Sequence, residues 1–415
     1  MTENAVTQLP AAATPPQPAT PVPGAAELST RDPALVRVAK KLDAGERLGF
    51  DEALACLKTP DLWTLGELAQ RDRVRRHGRR AYYNVNRHLN YSNLCILSCK
   101  FCEFARKPGQ DGEYELSIED IAKQASAADG AGATEMHVVG GLHPKLPFGW
   151  YCDMLRAAKA AAPRVHLKAF TAVEVVHLAR MHGKAHKGEP GAGTVEATLR
   201  ALIDAGLGSL PGGGAEVFDD RVHNEVFRGK IGAEQWIDVH RTAHRLGLMS
   251  NATMLYGHVE SLEDRVRHLL TLRDAQDEAI TQGHAGRFQT LIPLPFFPDG
   301  SALERLPGPT GLDNLRMLAT ARLVLDNFDH IKCFWIMQGL DMAQVALDFG
   351  VDDVDGTVVW YDITKLDGAD THQEVTAGDL RRMIREAGYE PVERDTLYRP
   401  VIRDGSDWHA GGAAV

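Results

Sequence analysis

The chain has 415 residues, with 46 Lys and Arg against 56 Asp and Glu, a formal net charge of −10. Its hydrophobic share of 44% and charged share of 25% are those of an ordinary globular protein, long enough for one α/β barrel with appendages or for two domains. The acidic balance argues against general binding to nucleic acid or an anionic membrane, no apolar run nears the about 18 residues of a spanning helix, and no secretory signal opens the chain, so a cytoplasmic location with reduced thiols is expected.

Residues 1–30 are rich in Pro and Ala (LPAAATPPQPATPVPG) and read as a disordered tail. Residues 31–80 read as a helical lead-in, because Leu54, Leu57, Leu65 and Leu68 recur at three- and four-residue steps. Its basic end, RDRVRRHGRR, fits a solvated helix face better than an anion clamp. Beyond it, strands are expected at Tyr82–Leu89, Glu135–Val139, Val165–Phe170, Leu207–Leu210, Ser250–Tyr256, Phe288–Leu294 and His330–Ile336. Helical patterns fill most gaps between Ser117 and Asn327. A strand-to-strand interval of roughly 30–40 residues is that of successive β/α units. The fold class is therefore α/β: a TIM-type (β/α) barrel of six to eight units over residues 81–340. Residues 341–415 form a C-terminal extension that completes or caps it. In such a barrel the chemistry sits in the loops after the strands.

The stretch NLCILSCKFCEFAR (Asn93–Arg106) follows the first of these strands and carries Cys95, Cys99 and Cys102 as C-x3-C-x2-C. Clustered thiols in a reducing compartment indicate a soft metal. Structural zinc needs four ligands, and Cys99 with Cys102 is the single C-x2-C pair; a His such as His88 could complete a Cys3His site. A cluster used for electron transfer alone takes four Cys. Three Cys on one loop fit a [4Fe–4S] cluster whose fourth iron is open to a small chelating ligand, such as the amino and carboxylate groups of S-adenosylmethionine. Structural zinc and a plain electron carrier stand as the alternatives.

Other features are weaker. Gly140 and Gly141 end the second strand (HVVGGLHP) and allow either close backbone approach to a ligand or a tight turn. SLPGGGAE (Ser209–Glu216) is a nest of N–H groups or a loop, with neither Walker nor G-x-G-x-x-G spacing. Phe170, Tyr256 and Phe296 are placed either in a cavity wall or in the core. His240 and His244 lie at i, i+4 without the glutamate of H-E-x-x-H, so packing or a substrate hydrogen bond is the better reading. HGKAHKGEPGAG (182–193) reads as a surface loop. DDVDGT (352–357) reads as a turn, since Val351 stands where a calcium loop needs its first Asp. Cys152 and Cys333 read as buried small hydrophobes.

The C-x3-C-x2-C motif, with Phe101 before its last Cys, resembles the signature of the radical S-adenosylmethionine superfamily. From about Tyr82 to Tyr398 the chain is similar to the aminodeoxyfutalosine synthase family of the futalosine route to menaquinone. The stretches that carry this include HLNYSNLCILSCKFCEFAR, MHVVGGLHPKLPFGWY, HLKAFTAVEV, SLPGGGAEVF, NATMLYGHVE, LIPLPFFP, LDNFDHIKCFWIMQG, AQVALDFGVDDVDGT and PVERDTLY. The cyclic dehypoxanthine futalosine synthases share the cysteine loop and the Pro-Gly-Gly-Gly turn and stand as the alternative within the superfamily; the deazaflavin synthases are a more distant outgroup.

The resemblance implies a transferase of menaquinone biosynthesis that holds [4Fe–4S] through Cys95, Cys99 and Cys102. It implies that S-adenosylmethionine is consumed as a substrate and meets Phe101, Gly140, Gly141, Gly257 and Glu260. Leu142 stands where the superfamily has a Glu, so a carboxylate contact is lost there. The implied reaction adds the 5′-deoxyadenosyl radical to the vinyl carbon of 3-[(1-carboxyvinyl)oxy]benzoate and yields 6-amino-6-deoxyfutalosine, methionine and bicarbonate. An external donor such as flavodoxin or ferredoxin supplies the electron. Two substrate carboxylates require cations or N–H donors, for which Lys168 is the candidate and Arg322 and Lys332 are weaker ones; His143 and Glu174 are candidate acid/base groups.

Overall fold

The computed structural model describes residues 30–188, 191–361 and 374–412. All but the last residue of the expected tail, and residues 189 and 190 of the 182–193 loop, thus lie outside the described residues. Three helices come first: α1 (Pro33–Asp43), α2 (Phe50–Lys58) and α3 (Leu62–His77). The barrel elements follow as β1 (Arg80–Asn84), β2 (Asn86–Leu89), α4 (Ile118–Gly130), β3 (Glu135–Val138), α5 (Phe148–Ala161), β4 (His166–Ala169), α6 (Ala172–Ala185), α7 (Val195–Asp204), β5 (Ser209–Leu210), α8 (Asp220–Val226), α9 (Ala233–Arg245), β6 (Met249–Tyr256), α10 (Leu262–Thr281), β7 (Phe288–Pro295), α11 (Gly311–Val324) and β8 (His330–Ile331). The chain closes with α12 (Trp335–Gln338), α13 (Leu340–Ala346), β9 (Asp353–Gly356), α14 (Ala377–Glu386), β10 (Glu390–Glu393), β11 (Val401–Asp404) and β12 (Asp407–Ala410).

Side chains that satisfy the first free N–H groups fix where the helices begin. Ser117, Thr171, Thr194, Ser261 and Thr310 each accept from the backbone N–H three residues on. Four of these caps, all but Thr194, end a loop that leaves the C-terminal end of a strand, and so set where that loop stops.

Strands β2 to β8 form one parallel seven-stranded sheet in chain order. β1 lies between β10 and β9 in a second, three-stranded sheet. The two edges of the large sheet are joined through the β9 segment. Cys333 N–H donates to Asp353 O at 2.9 Å on the β8 side, and His88 N–H donates to Val359 O at 2.8 Å on the β2 side. The core lies between this curled sheet and the helices around it, with Leu167, Leu210, Ala252 and Leu291 among its fully buried strand residues. No helix among the described residues is long and apolar enough to cross a membrane.

Four expectations change. The single strand over Tyr82–Leu89 is broken at Val85, because its first half pairs with β9 and β10 and its second half with β3. The strand over His330–Ile336 stops at Ile331, and the chain turns into α12. The expected turn at 352–357 is largely strand β9, and its acidic residues are buried in ion pairs. Asp353 binds Arg394 at 2.6 Å, Asp355 binds Lys332 at 3.2 Å, and Asp352 binds Arg322 and His330. The basic end of the lead-in is partly interior, since buried Arg73 donates to the carbonyls of Gly78 at 2.6 Å and Arg80 at 2.5 Å.

Candidate active site

The cysteine loop leaves the C-terminal end of β2 and is held by backbone pairing on both sides. Cys95 N–H donates to Arg106 O at 3.0 Å, Arg106 N–H to Asn93 O at 2.8 Å, and Ile96 N–H to Leu142 O at 3.0 Å. Gly141 N–H donates to Ser92 O at 2.8 Å. A Cβ on Gly140 would stand 2.5 Å from the Tyr91 ring, and one on Gly141 would overlap the Leu94 carbonyl. The glycine pair thus packs directly on Tyr91 and on the start of the cysteine loop, and it sets where that loop sits.

Cys95, Cys99 and Cys102 are free and half-buried. Burial pushes the Cys99 thiol up to about 11 and raises that of Cys102. Lys230, ion-paired with Glu216, lies 5.3 Å from the Phe101 ring centroid and favours the thiolate form of both. Around one tetrahedral zinc, sulfurs stand about 3.8 Å apart. Among the described residues the three thiols do not gather within 4.8 Å of one another, and the triad that does is His77, His330 and Asp352. That triad lies at the opposite end of the strands, and Arg322 already occupies its carboxylate. Three soft donors spread over one loop fit a multi-iron cluster better than a single ion.

A cavity of about 270 Å³ opens beside Phe101, Cys102 and Glu103 and runs into the barrel. Gly213, Gly214 and Glu216 of the glycine-rich segment form one wall. Val139, Leu255, Ile292 and Leu294 make an apolar waist, with Phe296, Phe334 and Tyr361 beside it. Deeper down lie His88, His137, Lys168 and Asp355.

Strand register creates this floor: His88 is paired with His137, and His137 with Lys168, on three adjacent strands. Alternation along each strand turns such positions to one side of the sheet. Lys168 Nζ lies 2.5 Å from Glu135 Oε1, with both side chains buried. The His88 and His137 rings stack at 4.7 Å. Burial holds His88 down to about 4 and His137 well below its ordinary value, with Lys168 adding to both effects, so both imidazoles are neutral at pH 7. Burial also lowers Lys168, while the Lys168, Lys332 and Arg394 charges outweigh burial and hold Glu135 below the carboxylate range.

Of the residues singled out in the sequence, His88, Phe101, Cys102, Lys168 and Phe296 line the cavity. Glu174 is buried and fully engaged. Its carboxylate accepts from Thr171 N–H and Oγ1 at 2.7 and 2.8 Å, from Tyr91 Oη at 2.8 Å and from Gly140 N–H at 3.1 Å. It clamps the start of α6 to the glycine pair. His143 braces its own turn: Nδ1 accepts from the N–H groups of Lys145 and Leu146, and Nε2 lies 2.8 Å from Glu115. Glu260 closes a tight turn by accepting from Gly257 N–H at 2.5 Å and His258 N–H at 2.9 Å, and it pairs with Arg265. Phe170 and Tyr256 belong to the core, Arg322 lies away from the cavity, and Lys332 is tied to Asp355 beneath the floor. His240 and His244 share the Ser250 hydroxyl, as packing residues. Sequence reasoning missed His137, Asp355 and the Glu216–Lys230 pair, and it weighed His88 for zinc alone. The available signal was polar residues at alternate positions of short barrel strands, Glu135 and His137 above all.

The chain matches the model of the Radical SAM superfamily over residues 89–272 and that of the CofH/MqnC C-terminal region over residues 285–404. It is 43% identical over 375 residues to the aminodeoxyfutalosine synthase of Thermus thermophilus, covering 89% of this chain and 97% of that one. It is 37% identical over 363 residues to the 5-amino-6-(D-ribitylamino)uracil–L-tyrosine 4-hydroxyphenyl transferase of Methanosphaerula palustris, covering 86% and 95%. Among solved structures, methylornithine synthase (PylB) superposes with a TM-score of 0.66 at 16% identity, over 85% of this chain and 97% of that one, a likeness of fold.

Proposed function

This chain belongs to the radical S-adenosylmethionine superfamily, and from that premise we propose that it is an aminodeoxyfutalosine synthase. The observation that carries the reading is its 43% identity to a relative of that name, spanning 97% of the relative's length. Cys95, Cys99 and Cys102 would hold a [4Fe–4S] cluster. Such a cluster, with S-adenosylmethionine bound to it, would supply one-electron reduction of the sulfonium and so an adenosyl carbon radical, the electron coming from a donor such as flavodoxin or ferredoxin. The acceptor is 3-[(1-carboxyvinyl)oxy]benzoate, and the products are 6-amino-6-deoxyfutalosine, methionine and bicarbonate.

The residues of the chain bind, orient and exclude water. Val139, Leu255, Ile292 and Leu294 make a waist that keeps water from a reactive carbon centre. Lys168 supplies positive charge for a substrate carboxylate. Glu174 and Tyr91 act through Gly140, fixing the end of β3 against the cysteine loop. The 257–260 turn, closed by Glu260, supports the wall formed by the end of β6.

Incubating the reduced, reconstituted enzyme with S-adenosylmethionine and the enol ether tests the reading. The expected product is one nucleoside that contains both the adenosine and the aryl group. Free 5′-deoxyadenosine as the sole nucleoside refutes it. So does consumption of dehypoxanthine futalosine alone, or of tyrosine with the ribitylaminouracil alone.

A further inference from the structure

We propose that the in-register row His88–His137–Lys168 anchors the ring carboxylate of the substrate, so that the aromatic acid enters carboxylate first and leaves its vinyl carbon facing the cysteine loop. The identity of the substrate rests on the synthase reading; the anchor itself rests on the cavity.

Both ring nitrogens of His88 are buried and have no hydrogen-bond partner. The ring lies in the cavity wall between His137, stacked at 4.7 Å, and the edge-on ring of Tyr361 at 5.1 Å. Buried polar atoms are nearly always satisfied, so an imidazole with neither nitrogen engaged marks a place where a ligand completes the pattern. Lys168 carries three N–H donors and binds Glu135, which leaves two for the cavity. The other charges at this depth are already matched: Lys332 with Asp355, and Arg394 with Asp353. Asp355, on the same wall, also accepts from Asn86 Nδ2 at 3.1 Å.

The floor therefore offers convergent donors, the Lys168 ammonium and the N–H of a neutral His88, to something that accepts with more than one oxygen. A carboxylate has that character. The orientation follows from the ends of the cavity. The carbon that reacts must face the loop bearing Phe101 and Cys102, and the ring carboxylate lies across the aromatic ring from it. The apolar waist of Val139, Leu255, Ile292 and Leu294, with Phe334 beside it, then meets the ring faces.

The test compares the full substrate with 2-phenoxyacrylate, which keeps the vinyl ether and its carboxylate but lacks the one on the ring. Two variants are used. His88→Phe removes both nitrogens and keeps a ring. Lys168→Met with Glu135→Gln removes the ammonium together with its partner and strands no buried charge. For the wild type, kcat/KM is expected to fall by about 30-fold or more without the ring carboxylate. Each variant should lower kcat/KM for the full substrate by a comparable factor, mainly through KM, and leave the phenoxyacrylate value nearly unchanged. Equal losses on both substrates overturn the anchor. Benzoate binding by calorimetry, without S-adenosylmethionine or reductant, gives an independent readout: the wild type binds, and both variants lose most of that affinity. Benzoate binding that is absent in the wild type, or unchanged in the variants, also overturns the anchor. If the wild type converts neither enol ether, the synthase reading fails and calorimetry alone judges the anchor. His88→Phe touches no ion pair and keeps the test open should the paired replacement not fold.

Discussion

Replacing Lys168 by Met should destabilise the protein far more than replacing Lys168 and Glu135 together. The two side chains are 4% and 1% exposed and 2.5 Å apart. Removing one partner of such a pair strands a buried charge, at a cost of about 3–5 kcal/mol, whereas replacing both by neutral groups of similar size is often close to neutral. The lower end of that range applies, because Lys332 and Arg394 also hold the Glu135 charge. The pH dependence follows from linkage. In the wild type Glu135 is held below its ordinary value, so its contribution is present above the unfolded carboxylate pKa and is lost as pH falls through the folded one. Without Lys168 the largest charge that opposes burial is gone and the Glu135 carboxyl rises from its wild-type position, so the deficit of the single variant is largest at pH 7 and narrows as the pH falls. Urea midpoints by circular dichroism at pH 7 and pH 5 measure both effects. A single variant within about 1 kcal/mol of wild type, or a double variant as unstable as the single one, would refute the reasoning.

Three further outcomes are expected. Gly141→Ala should cost most of the bound iron, because a Cβ there overlaps the Leu94 carbonyl that precedes Cys95; Gly130→Ala, with nothing within 4 Å, should keep full iron content. The affinity of the metal-free loop for Cd2+ should rise steadily from pH 6 to pH 9, since burial keeps Cys99 and Cys102 protonated and metal binding must release those protons; a flat profile contradicts this. Tyr91→Phe, which removes one donor from the buried Glu174 carboxylate, should lower stability by about 1–3 kcal/mol and should loosen the glycine pair, read as faster hydrogen exchange at Gly141 N–H.

Much of the barrel was legible because its signals are local. Alternating short apolar strands and amphipathic helices, several of them begun by Ser or Thr, mark β3 to β7 within a residue or two. The cysteine loop was legible because thiol spacing is itself the signal. What escaped depends on partners distant in sequence. Asp353 and Asp355 sit in a stretch that reads as a turn, yet Arg394 and Lys332 neutralise them and make a buried strand possible. Glu174 drew attention as a lone acid in a characteristic stretch, but Tyr91 and Gly140 spend its carboxylate on architecture. His137 gave no such cue, and its place beside Lys168 and His88 follows from strand register alone.

The most direct test of a three-cysteine loop that leaves one iron free is anaerobic reconstitution followed by electron paramagnetic resonance of the reduced protein with and without S-adenosylmethionine. About four irons and four sulfides per chain are expected, with a reduced-cluster signal that changes when S-adenosylmethionine is added. One tightly held zinc, or a cluster signal that S-adenosylmethionine leaves untouched, would contradict it.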